Sequence, residues 1–326
     1  MTHAISRRRF MVAGAAAGLG ILASRGLGAE MFKTKLRKAM IGKPTEDYLK
    51  QLKDAGFDGL ECSEWSVTPA EAAAARKVAD RIGIKIHIVG RGSVMFNSPD
   101  PAVAAKAMAE VETALRAAQG YGADAILLVP GRVSKNDVTL PDPWDFKLEY
   151  DQKTGRLVKA VAGDNEKFKA YIEAHNRAVD AATVAIRKLI PVAEETKVVI
   201  AVENVWNNLW VKPDYLKLFI SSFQSPWVKA HFDIGNIVRY TPPEDAIRTL
   251  GSLIVRCHVK DFKKDPNPNP GTYGGQFVDI REGGVNWPAV RKALDDIGYS
   301  GWMTIEASKL PLAEDSKRLD LIIAGQ

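Results

Sequence analysis

The chain has 326 residues, with 45 Lys and Arg against 39 Asp and Glu and a hydrophobic content of 46%, which suits a globular protein and excludes fibrous and disordered classes. Its positive charge is concentrated at one end. Residues 1–29 hold four Arg and no acid, so the remainder has 41 basic against 39 acidic residues, a net of +2 rather than +6, and basic charge ceases to argue for a nucleic-acid partner.

Ser6-Arg7-Arg8-Arg9-Phe10-Met11 followed by the Gly/Ala-rich run Val12 to Ala23 has the layout of a twin-arginine export signal. The apolar run is about 13 residues, short of the roughly 20 that a stable transmembrane helix needs. A signal peptide over 1–29 is therefore expected, cleaved near Ala29, with an uncleaved tether as the alternative because Leu27 fits the cleavage pattern poorly. The mature chain, 30–326, is expected in the periplasm, exported already folded. No transmembrane span is expected in it.

The expected elements then alternate. Leu36 to Gly42 reads as a strand, and Thr45 to Gly56 as a helix with Thr45 as N-cap and Gly56 as stop. Phe57 to Trp65 is the second strand and Pro69 to Gly83 the second helix. Ile84 to Gly90 and Pro101 to Gly120 form the third pair, and Ala123 to Gly131 is the fourth strand. Residues 132–165, with Pro141, Pro143, Gly155 and Gly163 among charges, break the rhythm as a long insertion of the kind that serves as a lid or a flexible excursion. Helix 4 follows from Glu166 to about Thr196. Strands at Val198 to Asn204, Val228 to Asn236, Ile254 to Asp261 and Gly301 to Ala307 alternate with helices at Pro213 to Phe223, Pro243 to Leu250, Trp287 to Ile297 and Pro311 to Ala324.

Eight continuously apolar strands alternating with eight helices define an α/β chain folded as a (β/α)8 TIM barrel. A doubly wound open sheet is the alternative, but no G-x-G-x-x-G follows the first strand. Cys62 and Cys257 fall on strands 2 and 7, which are not neighbours in a barrel, so both are expected as free, buried thiols.

The carboxyl ends of strands 5 to 8 carry Glu203, Asp233, His258 and Glu306. Residues at that mouth act, whereas those at the opposite end stabilise. Each of the four has an ordinary structural explanation: a turn cap, an Asx-turn into Gly235, a core histidine, or an ion pair with Lys260. Four at matching depth on successive strands instead converge on one ion. Three carboxylates and one imidazole suit a single divalent metal such as Mn, Mg or Co, with Zn or Fe also compatible. After such an ion binds, the centre is near −1, which favours a neutral, oxygen-rich ligand.

The segments ENVWNN, FDIGN, HVKD and GYSGWMTIE, with the mature chain around them, resemble the xylose isomerase-like barrels known as sugar phosphate isomerases/epimerases. In that family the equivalents of Glu203, Asp233, His258 and Glu306 bind the metal, and the two glutamates serve as the acid/base pair. The resemblance implies a metal-dependent sugar isomerase or epimerase that removes a proton beside a carbonyl, with the ion stabilising the enediolate. Two bases acting from opposite faces give inversion, and one base moving the proton between adjacent carbons gives aldose–ketose isomerisation. The chain departs from the ketose 3-epimerases at two substrate-contacting positions, with Asn236 in place of histidine and Lys264 in place of arginine, which counts against free-ketose 3-epimerisation.

Lys260, Glu61, His87, Asn236, Trp65, Trp206 and Arg281 are the candidate substrate contacts for a small carbohydrate, with Trp144 and Glu282 as weaker ones. Three other functions compete: a lyase or hydratase acting on 3-keto-glycosides through the same metal–enolate chemistry, an apurinic endonuclease-like phosphodiesterase, and a non-catalytic sugar-binding protein. With four His and a net of +2, the mature chain is a poor match for the histidine-rich, DNA-binding phosphodiesterase.

Overall fold

Eight strands, β1 (Arg37–Gly42), β2 (Gly59–Cys62), β3 (Lys85–Val94), β4 (Ala125–Pro130), β5 (Val199–Glu203), β6 (Val228–Asp233), β7 (Ile254–Val259) and β8 (Trp302–Ile305), close into a barrel. Every neighbouring pair is parallel, and β8 hydrogen-bonds back to β1. The computed structural model describes residues 32–151 and 153–326, so the export signal expected over 1–29 lies outside the described residues. Phe32–Gln326 form one compact unit.

The principal helices α1 (Glu46–Asp54), α2 (Pro69–Ile82), α3 (Pro101–Tyr121), α4 (Lys169–Thr196), α5 (Pro213–Ser221), α6 (Pro243–Leu250), α7 (Trp287–Asp296) and α8 (Leu312–Ile323) each follow one strand. Local chemistry sets their ends. Thr45 accepts from Tyr48 N to start α1, while Thr68 and Glu71 form a reciprocal capping box at the head of α2. Gly83, at φ +81°, ends α2 in a left-handed turn that a Cβ would disfavour. Parallel strands covered by helices are buried on both faces, and all six residues of β4 (AILLVP) are buried accordingly.

Several strand boundaries differ from those expected, among them β2, which ends at Cys62 rather than Trp65, and β8, which ends at Ile305 rather than Ala307. Three further differences bear on the site. A register shift between Gly90 and Gly92 lets β3 continue to Val94 rather than stop at Gly90, which leaves His87 well inside the strand. Strand β6 ends at Asp233, because Asp233 Oδ1 accepts from Asn236 N at 2.6 Å and starts a single helical turn, Ile234–Ile237. Strand β7 ends at Val259, and Asp261–Lys264 then pairs antiparallel with Gly275–Val278, so a hairpin rises from the mouth.

The 132–165 insertion is tied down rather than loose. Its short ladder, Glu149–Tyr150 against Leu157–Lys159, is pinned to α4 by Leu157 N donating to Asn176 Oδ1 at 2.8 Å and Asn176 Nδ2 donating to Leu157 O at 2.9 Å. Tyr150 stacks on Tyr215 with ring centroids 3.8 Å apart. Cys62 and Cys257 are both free and buried. Among the described residues no helix is long and apolar enough to cross a membrane.

Candidate metal centre

Strand register brings the four strand-end residues together. Asp233 is level with His258 across β6 and β7, and His258 is level with Thr304 across β7 and β8. Side chains alternate, so Glu306, two residues beyond Thr304, points to the same side one step higher. One ligand atom from each of Glu203, Asp233, His258 and Glu306 lies within 4.8 Å of all the others. Donors about 2.1–2.5 Å from a shared ion are separated by such distances.

The contacts around His258 test whether these residues suit a cation. Its Nδ1 lies 2.9 Å from Glu306 Oε2, 3.1 Å from Glu203 Oε1 and 3.6 Å from Asp233 Oδ2. One ring nitrogen carries at most one hydrogen and cannot donate to three carboxylates. Burial disfavours a charged ring, but Glu61, Asp233, Glu203 and Glu306 outweigh it and raise His258 well above the ordinary histidine value, so without an ion the imidazole is held protonated. A divalent ion would take the place of that proton, with the Nδ1 lone pair and three carboxylate oxygens as its ligand set. Asp233 Oδ2 and Glu306 Oε2 are buried without an aligned hydrogen bond, each facing the ammonium of Lys260. The residues present therefore fit a divalent ion.

Burial pushes the Glu203 carboxyl up to about 7, against the opposing pull of His258. Burial also raises Glu306, but His258 and Lys260 outweigh it and hold that carboxyl below the usual range. Lys260 Nζ reaches Glu306 Oε2 at 2.7 Å and Asp233 Oδ2 at 2.9 Å, so Lys260 joins the centre. Glu61, from β2, reaches the other side of the imidazole, its Oε2 3.0 Å from His258 Nε2.

The other candidate contacts fall elsewhere. Asn236 is buried beside the centre, with its main-chain NH on Asp233 and its carbonyl accepting from Trp206 Nε1. Trp206 packs against Tyr273 and Phe277, at ring distances of 5.2 and 4.7 Å, and under Arg239 at 4.2 Å, so its faces are taken up by packing. Trp65 is covered by Arg91 at 4.4 Å, and Trp144 is an exposed residue beside Gly274. Arg281 is exposed and held by its backbone, its NH donating to Asp261 Oδ2 at 3.0 Å, while Glu282 pairs with Arg318.

His87 does not line the mouth. It lies at the amino-terminal floor, where Arg256 donates to its Nδ1 at 3.1 Å and to its carbonyl at 2.9 Å, and where its ring stacks on Trp302 at 4.4 Å. Arg256 also pairs there with Asp124, which immediately precedes β4.

Two residues of the site escape the sequence reading. His231 is fully buried, both its ring nitrogens lack a hydrogen-bond partner, and its ring meets that of His258 edge-on at 4.1 Å. With Glu61 and His258 it makes a second group of potential ligands. Its position two before Asp233, hence on the same strand face, was the available signal. Asp261 is the other: its carboxylate accepts from Phe262 N, Arg281 N, Gly283 N, Val285 N and Trp287 Nε1 at 2.9–3.3 Å and ties the hairpin to the barrel.

A closed parallel barrel with an acidic cluster and one histidine at its carboxyl mouth defines a class, and residues 49–320 match the family model described as xylose isomerase-like TIM barrel. The chain belongs to that family. Among curated proteins it is 26% identical over 140 residues to the uncharacterized protein MJ1311 of Methanocaldococcus jannaschii, a match spanning 41% of this chain and 45% of that protein. Among solved structures it resembles the xylose isomerase domain protein of Planctomyces limnophilus at a TM-score of 0.64 and 19% identity, covering 91% of this chain and 97% of that one. It also resembles the D-psicose 3-epimerase of Clostridium cellulolyticum H10 (TM-score 0.61, 18% identity, 88% and 98% covered). The 3-keto-D-glucoside 4-epimerase YcjR of E. coli is similar at a TM-score of 0.62 and 13% identity, with 88% and 99% covered.

Proposed function

We propose that this chain is a divalent-metal-dependent isomerase or epimerase of a sugar derivative, working by proton transfer beside a carbonyl. The observation that carries the reading is the convergence of three carboxylates from three strand ends on one imidazole nitrogen, at 2.9–3.6 Å. Glu203, Asp233, His258 and Glu306 would hold the ion. When bound, it supplies Lewis-acid stabilisation of the negative charge that develops on a carbonyl oxygen as the adjacent carbon loses its proton.

Glu203 and Glu306 are the proton carriers in this reading: one accepts the carbon-bound proton, the electron pair of that C–H bond moves toward the carbonyl, and the other glutamate returns a proton. Lys260 supplies a fixed positive charge at the centre and a donor for a substrate oxygen. The presence of similar folds among a ketose 3-epimerase and a 3-keto-glucoside epimerase supports a carbohydrate substrate. Asn236 in place of the ketose 3-epimerases' histidine counts against a free ketose. The same proton removal followed by loss of a group beta to the carbonyl would make the chain a lyase or hydratase on 3-keto-glycosides, and this is the second reading.

Metal analysis followed by incubation with free ketoses and 3-keto-glycosides in heavy water tests both. Deuterium uptake at carbon with inversion supports an epimerase, a shifted carbonyl an isomerase, and loss of a leaving group the lyase. Absence of exchange with every substrate sinks proton transfer altogether.

Glu61 has a positioning part in this scheme. Accepting from His258 Nε2–H, it leaves the Nδ1 lone pair free for the ion. Glu61→Gln is expected to weaken manganese binding by roughly 10–100-fold, as loss of such a partner commonly does. Calorimetric titration of Mn(II) into the apoprotein measures it, and an unchanged dissociation constant would free Glu61 of that role.

A further inference from the structure

Beside Trp206 lies a cavity of about 300 Å³ between the 132–143 part of the insertion and the turn at 271–273. Its lining brings together Arg132, Lys135 and Arg239, with Trp206 and Tyr273 as aromatic walls. Asp142 is the sole acid among the lining residues, and its Oδ1 accepts from Gly271 N at 2.7 Å, which joins the two walls.

Arg239 is the unusual member. Its guanidinium lies 4.2 Å over Trp206, 4.9 Å over Tyr240 and 5.7 Å over Tyr273, and no carboxylate among the described residues pairs with it. Its Nε is buried with no hydrogen-bond partner. Partial burial of an unpaired cation is costly unless a counter-charge completes it, and the planar fork of arginine matches a carboxylate or a phosphate. Arg132 and Lys135 are exposed and likewise have no ion pair among the described residues, so the three cations present unspent donors to one space.

The lining of the cavity is joined to the metal centre through Trp206 and Arg239. Trp206 follows Glu203 by three residues, and Arg239 follows Asp233 by six. Trp206 Nε1 donates to Asn236 O at 2.8 Å, and Lys260 Nζ lies 5.0 Å from the Phe277 ring that stacks on Trp206. Three carboxylates at the metal centre repel an anion placed among them, so an acidic ligand would need its charge held at a distance.

We propose that this cavity is a subsite for an anionic group, a carboxylate or a phosphate ester, borne by the saccharide that reaches the metal centre. The inference rests on the reading of that centre as a carbohydrate site and narrows it to acidic saccharides. Arg239 binds the anion directly, with Arg132 and Lys135 adding long-range attraction.

The test is calorimetric titration of the manganese-loaded chain with cellobiose, cellobiouronic acid and cellobiose 6-phosphate. At least one acidic sugar is expected to bind about 10-fold tighter than cellobiose, the size of a single charge-assisted contact, and which one does so identifies the anion. Arg239→Gln should reduce that preference to near unity, and Arg239→Lys should retain part of it. The double variant R132Q/K135Q, whose changes are on the surface, should lower the preference and flatten its salt dependence, which keeps the test valid if Arg239→Gln does not fold. Equal binding of all three sugars by the wild type overturns the proposal, as does a preference unaffected by folded Arg239→Gln or by R132Q/K135Q. An acid preference in a chain that neither binds manganese nor exchanges carbon-bound deuterium would sink the isomerase reading and leave the subsite standing.

Discussion

Glu306→Gln is expected to lower turnover by roughly 10²–10⁴-fold on whichever sugar the heavy-water experiment identifies, the range that loss of a general acid/base spans. Glutamine keeps the shape of glutamate but cannot carry the proton. The site makes this substitution informative. Glu306 Oε2 contacts His258 Nδ1 at 2.9 Å and Lys260 Nζ at 2.7 Å, and the side chain is 32% exposed, so it stands at the open side of the cluster. Glu203 is buried deeper, and its replacement would disturb packing as well. Because Glu306 also belongs to the proposed ligand set, steady-state rates should be measured with manganese in excess and occupancy checked by titration. Wild-type turnover in a fully loaded Glu306→Gln would remove Glu306 from the proton path.

The largest stability effect is expected at Asp261. Asp261 is 1% exposed, and its carboxylate is the acceptor for five donors from two stretches of chain, Phe262 and residues 281–287. Arg281 and Gly283 are near solvent, and water can replace the lost bond there. Phe262, Val285 and Trp287 are buried, and each donor stranded without a partner costs about 1–3 kcal/mol. Asp261→Ala is therefore expected to destabilise by about 3–5 kcal/mol, within the range typical of breaking a buried polar network. Denaturant unfolding followed by tryptophan emission measures it. A loss below about 0.5 kcal/mol, the range of ordinary surface changes, would show that the hairpin root is held by other contacts.

How much of this was legible beforehand depends on the range of the interactions involved. The strand and helix succession follows from short-range signals such as Thr45, Thr68 and Gly83, and from apolar runs like that of β4, so the barrel could be read directly. The four strand-end residues were legible because each falls within one residue of the carboxyl end of its strand. His87 was misplaced because Gly90 looks like a strand stop, whereas the register shift at Gly90–Gly92 carries β3 onward, a feature that depends on pairing with β4. Trp206 looked available for stacking because its partners, Tyr273 and Phe277, lie about 70 residues away on a hairpin that the HVKD run does not announce. By sequence Asp261 is only the last residue of a strand. Its donors come from residues 262–287, and only the folded loop shows that they all face it.

The floor of the barrel has a bearing on traffic. Arg256, His87, Trp302 and Asp124 interlock at the amino-terminal end, and Arg37 lies 4.2 Å over the Trp302 ring from outside. That end of the barrel is thus plugged, so on the proposed reading ion and sugar would have to share the opposite rim, and a sugar seated there would cork the ion in place.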